Sequence, residues 1–155
     1  MKTKEKTQAQ VPSLEEALRE RVGHYLVCFI DQCPLHDQCL RWLVGQYADT
    51  ATLAHNAINP RNPQMGGQQC AMFRKCERVL MKRGFKNLYY EMPGHMERSI
   101  RRHLVQLWGH KRYFQMRRGD RLITPKQQHE LADVCRLYGW TGPIAYDGEQ
   151  EEWLW

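Results

Sequence analysis

Apolar residues recur along this chain at two periods, the three-to-four-residue spacing of a helix face and the alternation of a strand, and the changes between them predict its elements. Leu14, Leu18, Val22 and Tyr25 fall at helical spacing behind Ser13-Leu14-Glu15-Glu16. There the serine can cap an orphan amide and Glu16 can return the bond, so a first helix is predicted over 13–22, ended by Gly23. His24 to Ile30 is apolar and reads as a strand or a second helical piece. Asp37 is placed to cap a helix over 38–48 that turns Leu40, Leu43, Val44 and Tyr47 inward. Asn, Pro and Gly make 55–67 a loop. Phe73, Cys76 and Leu80 predict a helix over 69–83 stopped by Gly84, and 85–90 is a candidate strand.

Past Pro93-Gly94, one stripe of Met96, Ile100, Leu104, Leu107 and Trp108 predicts a helix that Gly109 ends, with Arg98, Arg101, Arg102 and Val105 off the stripe. Arg112 to Arg117 alternates, and Arg118-Gly119-Asp120 would turn it into 121–123 as a hairpin. Thr124-Pro125 is a capping hydroxyl followed by a first-turn proline. It opens a helix that carries Leu131, Val134, Cys135 and Tyr138 inward and stops at Gly139. The fold class is therefore α+β and mainly α, about five helices with a small β-hairpin. A single domain over 13–155 is expected behind a disordered arm at 1–12. Within it, 28–76 is cysteine-rich, 94–123 holds the basic helix and hairpin, and 124–155 holds a helix and an acidic, aromatic tail.

Composition narrows the class without naming a function. The chain has 155 residues, 42% hydrophobic and 26% charged, which suits one globular domain able to bury its own core. No apolar run nears the roughly 20 residues of a membrane span, so no membrane partner is expected. The start, MKTKEKTQAQVP, is polar and charged and does not read as a secretory leader. A cytoplasmic setting follows, in which thiols stay reduced.

That setting changes the meaning of the six cysteines. Cys28, Cys33 and Cys39 cluster, and Cys70 follows some thirty residues on. Soft thiolates hold zinc or an iron–sulfur cluster, and four of them close a tetrahedral site. Cys28, Cys33, Cys39 and Cys70 are the candidate ligands, zinc ahead of an iron–sulfur cluster, with His36 as a further donor between Cys33 and Cys39. On a regular helix Cys70 and Cys76 stand about 240° apart and cannot face one ion, which leaves Cys76, like Cys135, to the core. The spacing departs from the Cys-x2-Cys pairs of ribbons and fingers. Plain buried thiols without any metal are the alternative.

Charge points elsewhere. The formal net charge is +6, yet residues 74–121 alone hold fourteen Lys/Arg against four acids, and 122–155 hold two against six. Concentrated positive charge attracts polyanions. Arg98, Arg101 and Arg102 on the helix, with Lys111, Arg112, Arg117, Arg118 and Arg121 on the hairpin, form a candidate nucleic-acid-binding face for DNA or RNA. The other reading is a solvated face partly neutralised by the tail from Glu149 to Glu152, or one that meets an acidic protein. The helix after Pro125 carries only Lys126 and Arg136 and is too poor in cations for a recognition helix.

No phosphate-cradling glycine loop, nucleophile elbow or metalloprotease histidine spacing is present, and no catalytic residue is assigned. The segments CFIDQCPLHDQCLRWL (28–43), INP (58–60), CAMFRK (70–75), YFQMRRGDRLITPKQQ (113–128), YGW (138–140) and EEWLW (151–155) together resemble a domain-of-unknown-function family of small Bacteroidales proteins with no established activity. The resemblance implies a bacterial cytoplasmic setting and a single domain, and transfers no functional residue. The function expected is thus a non-enzymatic nucleic-acid-associated or regulatory protein with a structural metal site. The alternatives are an adaptor for an acidic partner or a small thiol or metal enzyme.

Overall fold

The computed structural model describes residues 12–155, so the arm expected over 1–12 lies, Pro12 apart, outside the described residues. Five α-helices and a three-stranded antiparallel sheet are present among them, the mainly helical α+β class that the pattern implies. The contacts divide the chain into two compact units. One is the described residues up to Glu77 with Trp153–Trp155, the other Arg78–Glu152.

The first unit begins with α1 (Leu14–Arg21), entered through the capping box of Ser13 and Glu16. A single bridge from Val27 to Ala57 is the regular pairing of the stretch after it, which forms neither a strand nor a helix. A 3₁₀ turn at His36–Gln38 leads into α2 (Leu40–Gly45). Asp37 lies inside that turn and does not cap α2, which starts from Cys39 with no side-chain cap. From Gln46 to Glu77 the backbone has no helix or strand. Asx turns shape its loop: the side chains of Asp49, Asn59 and Asn62 accept the amides of Ala51, Arg61 and Gln64. The core is small, with Leu18, Val27, Leu40 and Val44 buried and Tyr25, Trp153 and Trp155 packed around them.

The helix expected over 69–83 is absent. Its first part is irregular, and Arg78–Arg83 form β1, with Met81 buried and Arg78, Leu80 and Arg83 exposed. The spacing of Phe73, Cys76 and Leu80 imitated a helix where alternation governs. The strand expected at 85–90 is a 3₁₀ turn (Lys86–Tyr89) that buries Leu88 and Tyr89, with Phe85 buried just before it.

The second unit is built on α3 (Gly94–Trp108), α4 (His110–Arg118) and α5 (Pro125–Leu137), with β1, β2 (Leu122–Ile123) and β3 (Gly148–Trp153, to Glu152). α3 buries Ile100, Leu104 and Trp108, and leaves Leu107 exposed. Gly109, at φ +81°, breaks the helix for one residue before α4 starts. α4 occupies the stretch expected to be the first strand of a hairpin. Tyr113 and Met116, three apart, are both fully buried, a helical pair. The hairpin over 112–123 therefore does not form. β2 pairs antiparallel with β1 instead, Lys82 opposite Ile123 and Arg83 opposite Leu122. The acidic tail supplies β3 on the other edge of β1, where Glu149 pairs with Lys82 and Gln150 accepts from Arg83.

Candidate functional site

Two turns, one helix start and one irregular stretch present the four candidate cysteines of the first unit. Cys33 and Cys70 each open a turn, accepting the amides of His36 and Phe73 at 3.1 Å. Cys39 is the residue before α2, and its carbonyl accepts Leu43 N–H at 2.9 Å. Cys28 is tied by its amide to the Arg41 carbonyl at 3.0 Å. These four thiols come from separate stretches and line one enclosed cavity of about 10 Å³ together with His36, Arg41, Trp42 and Ile58. That is roughly the space of a single water-sized sphere.

All six cysteines are free. Burial pushes the Cys28 thiol up, the Ile30 amide donates to its sulfur and pulls it down, and Cys39, Cys33 and Cys70 push it up again. One sulfur thus feels the other three. His36 adds a fifth donor and a second donor type. Its Nδ1 lies 2.7 Å from the Cys33 carbonyl, which can only accept, so Nδ1 is the donor there. The ring meets Trp42 edge-on at 4.5 Å. Cys76 packs against the small core and takes no part in the cavity. Cys135 sits in the core of the other unit. Among the described residues, no three His, Cys, Asp or Glu side chains already stand close enough together to hold an ion.

The basic residues divide into two kinds. Arg98, Arg101 and Arg102, with Val105 and Gln106, form one stripe of α3, and with His110 and Phe114 of α4 they line a groove of about 470 Å³. His110 and Phe114 lie 4.6 Å apart, ring to ring. Arg101 is 3.9 Å from Glu97. Lys111, Arg112 and Arg121 are exposed outside the groove lining. Arg118 pairs with Asp120 at 2.9 Å. Arg117 is turned inward, 5.3 Å over the Tyr89 ring, with a buried Nε. The eight cations expected on one helix-and-hairpin face are therefore spread over two helices and a turn, and three of them share a groove. The acidic tail lies along β1, with Glu149 on Lys82.

A family model matches residues 5–155. The chain belongs to DUF6078, a family of unknown function. No curated protein and no solved structure matches it. In this DUF6078 chain no helix among the described residues is long and apolar enough to cross a membrane.

Two features of the DUF6078 site escaped the sequence. Arg41 lines the cysteine cavity at 7% exposure. Its signal was a charge beside the buried Leu40, on a helix whose other inward positions are apolar. Phe114 is only partly buried and gives the arginine groove an aromatic wall.

Proposed function

We propose that this protein is a non-enzymatic binding protein whose first unit is organised by a structural metal ion on Cys28, Cys33, Cys39 and Cys70, zinc rather than an iron–sulfur cluster. The observation that carries it is that four thiols, from four stretches of chain, line one small cavity. The make-up of the unit supports this reading. It buries four apolar side chains in its core cluster and runs from Gln46 to Glu77 without a helix or strand. Units with cores this small are commonly held by metals or disulfides, and binding free energy at a structural zinc site is folding free energy. Elemental analysis of untagged protein should find about one zinc per chain, lost in Cys28→Ser and Cys70→Ser but kept in Cys76→Ser. Metal-free protein that is fully folded would overturn the proposal.

The groove on α3 and α4 favours a second reading: the protein holds the phosphates of DNA or RNA there. Arg98 and Arg102 are exposed, and among the described residues no carboxylate lies within ion-pair distance of either. An aromatic wall beside arginines suits unpaired bases next to backbone phosphates. Fluorescence anisotropy of a labelled single strand should show affinity falling steeply with salt. Arg98→Ala/Arg102→Ala should weaken binding and make that slope shallower by about one unit for each phosphate left without its arginine. No binding at low salt would sink this reading. An acidic protein that is captured after nuclease treatment would replace it.

A further inference from the structure

We infer that Arg41 is the positioning residue of the cysteine site: it ties the Cys28 and Cys70 stretches to the start of α2 and sets a buried positive charge in the lining of the cysteine cavity. This rests on the metal reading above. Arg41 stands two residues after Cys39, and its Nε donates to the carbonyl of Met72, two residues after Cys70, at 2.9 Å. Its Nη1 donates to the carbonyl of Leu26, two residues before Cys28, at 2.9 Å. Its own carbonyl accepts the Cys28 amide at 3.0 Å. One residue is thus bonded to the chain beside two of the candidate ligands and joined through two residues to a third. A guanidinium is suited to this, since its fork of donors is planar and rigid.

The charge makes the second half of the case. Arg41 is 7% exposed, and among the described residues no carboxylate pairs with it. A buried cation without a counter-charge is costly. The Tyr25 ring, 5.1 Å away, offsets a part. Among the residues lining the cavity, Arg41 is the single Lys or Arg and the cysteines are the acids. Four thiolates on a divalent ion would carry a net charge of −2, and Arg41 is the cation in the lining of that cavity.

Other bonds hold these stretches when Arg41 is changed. Leu40 N–H donates to the Arg74 carbonyl at 2.7 Å, Cys76 N–H donates to the Gln38 carbonyl at 2.8 Å, and Cys39 bridges Lys75. The unit should therefore survive the substitution with a looser site.

The test uses the full chain, as wild type, Arg41→Gln and Arg41→Lys. Zinc retention is read by competition with a chromogenic chelator, and the site by the absorption bands of the cobalt-substituted protein. Arg41→Gln should hold zinc about ten- to a hundredfold more weakly, as losses of groups that orient metal ligands do. Its thiolate-to-cobalt band should shift or weaken. Arg41→Lys, with the charge but not the fork, should fall between. Wild-type affinity and spectrum in Arg41→Gln, even at a lower Tm, would overturn the inference and leave the metal reading intact. Wild-type protein that takes up neither metal would overturn both. If Arg41→Gln does not fold, Arg41→Lys decides alone, and a zinc affinity equal to wild type overturns the inference.

Discussion

Cys28 and Cys135 are both buried thiols, and their neighbours separate their chemistry. Cys28 has three other sulfurs acting on it. Cys135 is surrounded by the apolar core of the second unit, and burial alone pushes it up to about 11, from an ordinary 9.0. The sign of its effect follows from linkage. The unfolded thiol ionises first as pH rises, so its contribution is whole below about pH 9 and is lost as pH climbs towards about 11. Tyr146, pushed up to about 12, adds the same effect in the window above 10. Thermal melts followed by tryptophan fluorescence should show Tm falling over these windows. Cys135→Ala should lower Tm at neutral pH and flatten the fall between about 9 and 11. A slope unchanged in that variant would show that burial of this thiol is not its cause. Gly84 gives a second expectation at this scale. It sits at φ +63°, and a Cβ there would lie 2.1 Å from Asp147 Oδ2. Gly84→Ala must both strain the backbone and displace that carboxylate, and should destabilise by more than about 1 kcal/mol in urea unfolding.

At the scale of elements, what was legible was what is local. α1 and α5 announce themselves through capping boxes, and α3 through a stripe and a terminal glycine. These signals need only a few neighbouring residues. β3 needs a partner 67 positions away, as the pairing of Lys82 with Glu149 shows, and a tail rich in Glu carries no trace of that in its own pattern. α4 was hidden because its nine residues offer one buried pair, which is too little to tell a helix from an alternating strand. The break before it can be tested. Gly109 has φ +81° and ψ 150°, and a Cβ there meets nothing within 4 Å. Gly109→Ala therefore isolates the backbone cost, and it should destabilise by about 1–3 kcal/mol. Gly94 opens α3 with a φ outside the left-handed region and equally open space. Gly94→Ala should be neutral or stabilising by about 0.4–1 kcal/mol. Equal effects of the two variants in urea unfolding would contradict the strained break.

For the whole molecule, the two units differ in how they are held. The second has a continuous core from Phe85 to Cys135, with the Tyr89–Tyr113 hydroxyl pair at 2.9 Å within it and Trp108 Nε1 donating to the part-exposed Glu130 at 2.7 Å. The first has a core cluster of four buried apolar side chains and a cavity lined by thiols. The cysteines were legible from sequence as a count of soft donors. Cys70 was separated from Cys76 on the geometry of a helix that does not exist, and the actual reason is that Cys70 opens a turn at the cavity whereas Cys76 packs on the small core. Arg41 was not legible as part of the site, because its partners are carbonyls, which leave no mark in the sequence. If a zinc ion holds the first unit, its loss should be felt locally. Native-state hydrogen exchange should then show a strong chelator removing protection from the amides of Val27, Cys28, Leu40 and Cys76, all of which donate within the first unit. The amides of α3 and α5 should keep their protection until global unfolding. Added zinc should restore the original protection, and Cys70→Ser should show the chelated pattern without chelator. Uniform loss of protection in both units would mean that the metal holds the whole chain, and no change at all would mean that the small core holds the first unit unaided.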